Sequence, residues 1–174
     1  LGGLSSGAET DVAVIGAGAA GIAAARRIQS LGKRAVVLEA AERIGVDPNR
    51  PAILIQLGGG ATRDVVSIVD TILASLATRA DVQPVIADWN TSPLPDELWR
   101  DVSRLRAFPL SRYFSAFDFT ISAAGYNSFN EIISFGLPAI FLPNDSGAVD
   151  DQPARAAYAE AQSAALCFTS RDSI

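Results

Sequence analysis

Asp11-Val12-Ala13-Val14-Ile15 runs directly into Gly16-Ala17-Gly18-Ala19-Ala20-Gly21, and that into an alanine-rich stretch reaching Leu31. The first five residues show no polar alternation, which predicts a short strand buried on both faces, as in a parallel sheet. Glycines in G-x-G-x-x-G spacing between such a strand and a helix have separate tasks. Gly16 permits the tight turn, Gly18 lets an anion approach the backbone, and Gly21 lets helix and strand pack closely. Amides freed at the helix start face that anion, helped by about half a positive charge from the helix dipole. The helix is predicted over 19–31, with Gly32 as its stop, and a second strand over 35–39. Glu39 closes that strand eighteen residues after Gly21, near the ~20 expected of a carboxylate that accepts ribose hydroxyls.

The same alternation resumes after a turn-rich stretch over 45–51, which is the candidate junction between two parts of the chain. Strands are predicted over 52–57, 82–87, 105–108, 119–122, 139–142 and 165–168. Helices are predicted over 65–78, 128–135 and 152–165, with a short one over 111–116. Strands alternating with helices imply right-handed crossovers and a parallel sheet covered on both faces. The expected fold class is therefore α/β, a Rossmann-like doubly wound parallel sheet of up to eight strands in three layers. Residues 1–10 are expected to be a flexible lead-in. Residues 11–45 would form one βαβ unit and 46–174 a second Rossmann domain, the two sharing one sheet.

Two further turns attract attention. Leu57-Gly58-Gly59-Gly60 ends a strand, and its Gly59 offers an amide-rich turn at the sheet's carboxyl edge. Ser122-Ala123-Ala124-Gly125-Tyr126-Asn127-Ser128-Phe129-Asn130-Glu131 reads as strand, glycine turn and helix opening. Asn127 and Ser128 are suited there to cap free amides, and Glu131 is expected in the first helical turn. Then come Phe135-Gly136-Leu137-Pro138-Ala139-Ile140-Phe141-Leu142-Pro143-Asn144 and the acidic loop Asp150-Asp151-Gln152.

Composition removes several chemistries. The 174 residues include no histidine, so the usual base near neutral pH and the commonest zinc ligand are both lacking. No metal site is expected, because Asp145, Asp150 and Asp151 lack a defined ligand spacing. A net charge of −5 without a Lys/Arg cluster argues against nucleic acid as a partner. No apolar run reaches the ~20 residues of a membrane span, and a soluble, cytoplasmic protein is expected. The single cysteine, Cys167, sits in an apolar run and is read as core. Tyr126, Trp89 and Trp99 are read as packing residues rather than base-stacking platforms.

Residues 11–45, with the continuation Glu39-Ala40-Ala41-Glu42-Arg43-Ile44-Gly45, resemble the N-terminal FAD-binding unit of the amine-oxidase-like flavoproteins. The resemblance implies that Glu39 binds the adenosine ribose and that Arg43 lies near the pyrophosphate. Val46 stands where that family has a second glycine. From about Asp47 onward the order of motifs resembles the C-terminal, donor-binding domain of two-domain GT-B glycosyltransferases. The likeness is greatest to the group with the bacterial lipid-intermediate N-acetylglucosaminyltransferase of cell-wall synthesis. It implies that amides over 125–128 (Gly125, Tyr126, Asn127, Ser128) bind a diphosphate, Glu131 the ribose of a UDP-like nucleotide, and Asp151 and Gln152 donor-sugar hydroxyls. Glu131 as an ordinary acidic residue at a helix start stays open beside this.

The expected ligand is a small-molecule nucleotide, of FAD or UDP type. The expected chain is a hybrid, natural or engineered, that keeps a donor site and has no assigned catalytic residue. Three functions remain: a nucleotide-binding or purely structural domain, a glycosyltransferase donor domain, and a flavin-dependent oxidoreductase fragment.

Overall fold

The computed structural model describes residues 10–15, 19–38, 44–47, 49–58, 63–88, 95, 97–144 and 150–169. In chain order the elements are β1 (Val12–Ile15), α1 (Ala19–Ser30), β2 (Ala35–Leu38), β3 (Ala52–Gln56), α2 (Arg63–Leu76), β4 (Gln83–Ala87) and β5 (Ser103–Leu105). A 3-10 helix (Leu110–Ala116), β6 (Phe119–Ser122), α3 (Tyr126–Phe135), β7 (Ala139–Phe141), α4 (Gln152–Ala161) and β8 (Leu166–Cys167) follow.

Among the described residues every strand pairs in parallel, and eight strands fall into two sheets: a pair β1-β2 and a six-stranded sheet of order β5-β4-β3-β6-β7-β8. The expectation of one shared sheet is corrected here, and the reason lies in β3. Its apolar run is buried from end to end, and β4 and β6 occupy both of its edges. That leaves only the outer edges of the three-residue β5 and the two-residue β8 for a further strand. The six strands from residue 52 onward already complete the usual doubly wound order, with the direction of winding reversing between β3 and β6.

Alternation along β3 divides the core. Ala52 and Leu54 face one side with Phe114, Ile132, Phe141 and Ala156, under the 3-10 helix, α3 and α4. Ile53 and Ile55 face the other with Val69, Ile72 and Leu73 of α2. This is the two-residue period of a strand covered by helices on both faces. Cys167 packs at the margin of the first cluster, and Trp99 packs in the second while its indole donates to Asp70 Oδ1 at 2.6 Å.

Turn chemistry sets the helix ends. Gly32 (φ 75°) stops α1, its amide donating to Gln29 O at 2.9 Å. Gly136 (φ 77°) stops α3, its amide and that of Leu137 both reaching Ile132 O. A Cβ at Gly136 would touch nothing, so Gly136→Ala is penalised by its left-handed backbone alone. We expect a loss of about 1 kcal/mol, measured as a lower urea midpoint at unchanged slope. Other ends differ from expectation. β5 stops at Leu105 because its partner β4 stops at Ala87, and α4 stops at Ala161, where Ser163 (φ 56°) turns the chain toward β8.

Described residues just ahead of β3, from Ile44 to Arg50, are tied to the six-stranded sheet. Val46 is buried in the same cluster as Ala52 and Leu54, and Ile44 packs against that cluster. Gln83 at the start of β4 accepts from Asp47 N at 2.9 Å and donates to Asp47 O and Arg50 O. Arg50 in turn donates to Ala80 O and Val82 O.

Candidate functional site

In a doubly wound sheet the crevice for a ligand opens at the carboxyl ends of the strands where winding reverses. Here that place is the end of β3 and β6, where Gln56 and Ser122 are register partners. Both side chains are sealed from solvent, at 3% and 1% exposure. Gln56 Nε2 donates to Ser128 Oγ at 2.5 Å. Gln56 Oε1 and Ser122 Oγ have no hydrogen-bond partner among the described residues. A buried polar atom left without a partner costs about 1–3 kcal/mol, so two at one spot mark a place held for polar contact rather than for packing.

Above them the chain makes the turn Ala123-Ala124-Gly125 into α3. Ala124 is fully buried and takes the left-handed conformation at φ 59°. Gly125 is the N-cap, and having no side chain it caps none of the helix's amides itself. This corrects the expected roles of Asn127 and Ser128. Both lie inside α3, Ser128 using its hydroxyl to accept from Gln56. Among the described residues no side chain is seen to accept from the early amides of α3, an arrangement that favours an external anion. The reading of Tyr126 as a packing residue is also corrected: it is 67% exposed, with the Arg155 guanidinium 5.9 Å from its ring centroid. Glu131 lies in the second turn of α3, not the first, half-buried.

The second loop of the site precedes α4. Asp151 caps that helix, its Oδ1 accepting from Ala154 N at 3.1 Å. Gln152 Oε1 accepts from Asn144 N at 2.9 Å and its Nε2 donates to Asp150 Oδ2 at 3.0 Å. Arg155 Nη2 donates to Asp150 Oδ1, and Arg155 Nε to Ala124 O at 3.0 Å. The Arg155 bond, then the Gln152 bond, hold the Asp150 carboxyl below its ordinary value, so it is ionised throughout the neutral range.

On the far side of β3 the same edge carries a buried charge cluster. Asp88 Oδ2 accepts from Arg104 Nη2 at 3.0 Å, and from Arg106 Nε at 3.1 Å and Nη2 at 2.5 Å. Phe108 follows with its ring largely exposed. Sequence reasoning missed Gln56, Asp88, Arg104, Arg106 and Arg155. The signals were a polar residue ending a wholly apolar strand, Arg-x-Arg at a strand end, and an arginine in the first turn of a helix.

The leading glycine turn is only partly in view. Gly16, Gly18, Glu39 and Arg43 lie outside the described residues, as do Gly59, Trp89 and Asp145. Gly21 sits in the first turn of α1. Ile15 and Leu38 are register partners, so the two strands end side by side immediately before Gly16 and Glu39. Among the described residues no group of three or more Cys, Asp or Glu is placed to hold a metal ion, and no helix is long and apolar enough to cross a membrane.

Residues 99–173 match the family model described as glycosyltransferase family 28 C-terminal domain. Residues 14–51 match that of an NAD(P)-binding Rossmann-like domain. None of the curated proteins matches the chain. Similar solved structures include the glycotransferase of kitacinnamycin, at 19% identity and TM-score 0.55 over 70% of this chain and 31% of that one. Os79 from O. sativa in complex with UDP is similar at 20% identity and TM-score 0.55, over 75% of this chain and 30% of that one. SnogD from Streptomyces nogalater is similar at 17% identity and TM-score 0.54, over 72% and 32%. At such identities the likeness is one of fold, and this chain spans about a third of the length of each. In family terms, residues 99–173 thus resemble the C-terminal domain of family 28 glycosyltransferases, on a sheet shared with solved glycosyltransferases, and residues 14–51 resemble an NAD(P)-binding Rossmann-like domain.

Proposed function

We propose that the six-stranded part of this chain binds a nucleoside-diphosphate sugar of UDP type as a glycosyl donor. The observation that carries this reading is the pair of sealed polar atoms, Gln56 Oε1 and Ser122 Oγ, without a partner among the described residues, beside the glycine-led start of α3. In this reading the diphosphate sits on the amides after Gly125, Glu131 takes the ribose hydroxyls, and Asp151 and Gln152 meet the sugar. The exposed ring of Phe108 offers the base an apolar face. The family match over 99–173 supports the assignment, as does the UDP named with Os79 on the same fold. Donor binding is the whole of the proposal. Transfer needs an acceptor held against the donor carbon, positioning that is worth about 7–11 kcal/mol, and none of the described residues is assigned that part.

A second reading rests on the leading unit. With Ile15 and Leu38 ending together and a dinucleotide-binding model matching 14–51, Gly16, Gly18, Gly21, Glu39 and Arg43 would hold an adenine dinucleotide, NAD(P) or FAD. The chain is then a hybrid of two nucleotide-binding pieces, with boundaries near 10 and 45. The two matches do not overlap, and β1-β2 forms its own sheet.

Calorimetric titration with UDP, UDP-N-acetylglucosamine, FAD, NAD and ADP tests both. We expect UDP ligands to bind, and Glu131→Gln to weaken UDP at least tenfold, one charge-assisted bond being worth about 1.5–3 kcal/mol. Binding of FAD or NAD without UDP would overturn the donor reading. Binding of none would leave a structural scaffold.

A further inference from the structure

We propose that Arg155 is a positioning residue that couples the phosphate-facing turn at Ala124–Gly125 to the sugar-facing loop at Asp150–Gln152. The proposal rests on the donor reading above and adds to it how the two halves of the site are held in register.

Arg155 lies in the first turn of α4, where the helix dipole disfavours a cation. Local helix energetics therefore give no reason for it. Its side chain, only 21% exposed, spends its contacts on two separate segments. Nε donates to Ala124 O at 3.0 Å, and Nη2 donates to Asp150 Oδ1. The guanidinium lies 5.9 Å from the centroid of Tyr126, the first residue of α3.

Both ends of this bridge need holding. Ala124 keeps a left-handed backbone that a non-glycine residue adopts only when its surroundings impose it. Asp150 also receives the Gln152 amide, and Gln152 accepts from Asn144 N, three residues after β7 ends at Phe141. One planar side chain thus joins a strained turn to the loop whose Asp151 and Gln152 are proposed to meet the sugar. A lysine could keep the charge but not the fork, since its donors radiate from one atom. The guanidinium has five N–H donors, more than these two bonds use. Its charge lies against Ala124 and Tyr126, beside the amides proposed for the diphosphate.

The test is calorimetric titration of the full chain, as wild type and as Arg155→Gln, Arg155→Lys and Asp150→Asn, with UMP, UDP and UDP-N-acetylglucosamine. Near-ultraviolet circular dichroism checks each fold. Arg155→Gln is expected to weaken UDP at least tenfold and to erase the wild-type difference between UDP-N-acetylglucosamine and UDP. Arg155→Lys and Asp150→Asn are expected to keep UDP within a few fold and still erase that difference. These two variants decide the matter if Arg155→Gln does not fold. A brace without coupling would weaken all three ligands by one factor, and that result overturns the proposal. Variants that match wild type in both UDP affinity and sugar discrimination overturn it too. A wild-type protein that binds none of the three removes the donor reading and the coupling together, whereas wild-type binding with unaffected variants removes only the coupling.

Discussion

Phe141→Ala lowers the unfolding free energy by about 3–5 kcal/mol, the range for emptying a large aromatic from a packed core. Phe141 is completely buried on β7, which pairs with β6 on one side and β8 on the other. Its ring centroid lies 5.3 Å from that of Phe129 on α3, and Leu54, Ile132 and Ala156 belong to the same cluster. A methyl group in its place leaves a void under α3, the helix that carries the proposed diphosphate amides. Domains of this size are stable by about 5–15 kcal/mol, so the variant should lie close to unfolding at physiological temperature. Urea denaturation followed by fluorescence measures it. A loss below about 1 kcal/mol would mean that β7 is not central to the core.

Asp88→Ala is expected to be nearly as damaging, at about 3 kcal/mol. The Asp88 carboxylate is almost wholly buried, with Arg104 mostly buried and Arg106 about half exposed. Breaking a buried pair typically costs about 3–5 kcal/mol, because the remaining charge keeps its desolvation without its partner. The lower end applies because water still reaches Arg106. Asp88→Asn retains an acceptor and should lose roughly half as much. Denaturation at low and high salt separates this from a surface effect: a buried pair is screened little, so the difference from wild type should survive the salt. A difference that disappears in salt would place the cluster at the surface.

What the sequence made legible was local. The strand over 119–122 forms with the bounds its apolar run predicts, and Gly32 stops its helix as its place after an alanine-rich run predicts. Strand identity follows from a few adjacent side chains. Strand neighbours do not, and so eight strands counted along the chain did not show that two of them pair apart. The Asp88 cluster was hidden for the same reason, since it exists only once Ala87 and Leu105 come into register. At the candidate site the glycine turn could be read, because a turn needs particular residues at particular places. The helix after it starts two residues earlier than the apolar pattern indicated, moving Ser128 from cap to interior and Glu131 into the second turn. Arg155 and Gln56 owe their roles to segments far off in sequence, Ala124 and Ser128 respectively.

The burial of Val46 bears on how pieces of such a chain can be exchanged. By composition the natural place to cut is the proline-bounded stretch ending at Pro51, yet Val46 serves as a plug for the sheet that follows it, and Gln83 and Arg50 lash the stretch to β4. A splice at Pro51 would remove Val46 from the cluster that holds Ala52 and Leu54. One made ahead of Ile44 would keep the seal, so the front unit is best swapped there.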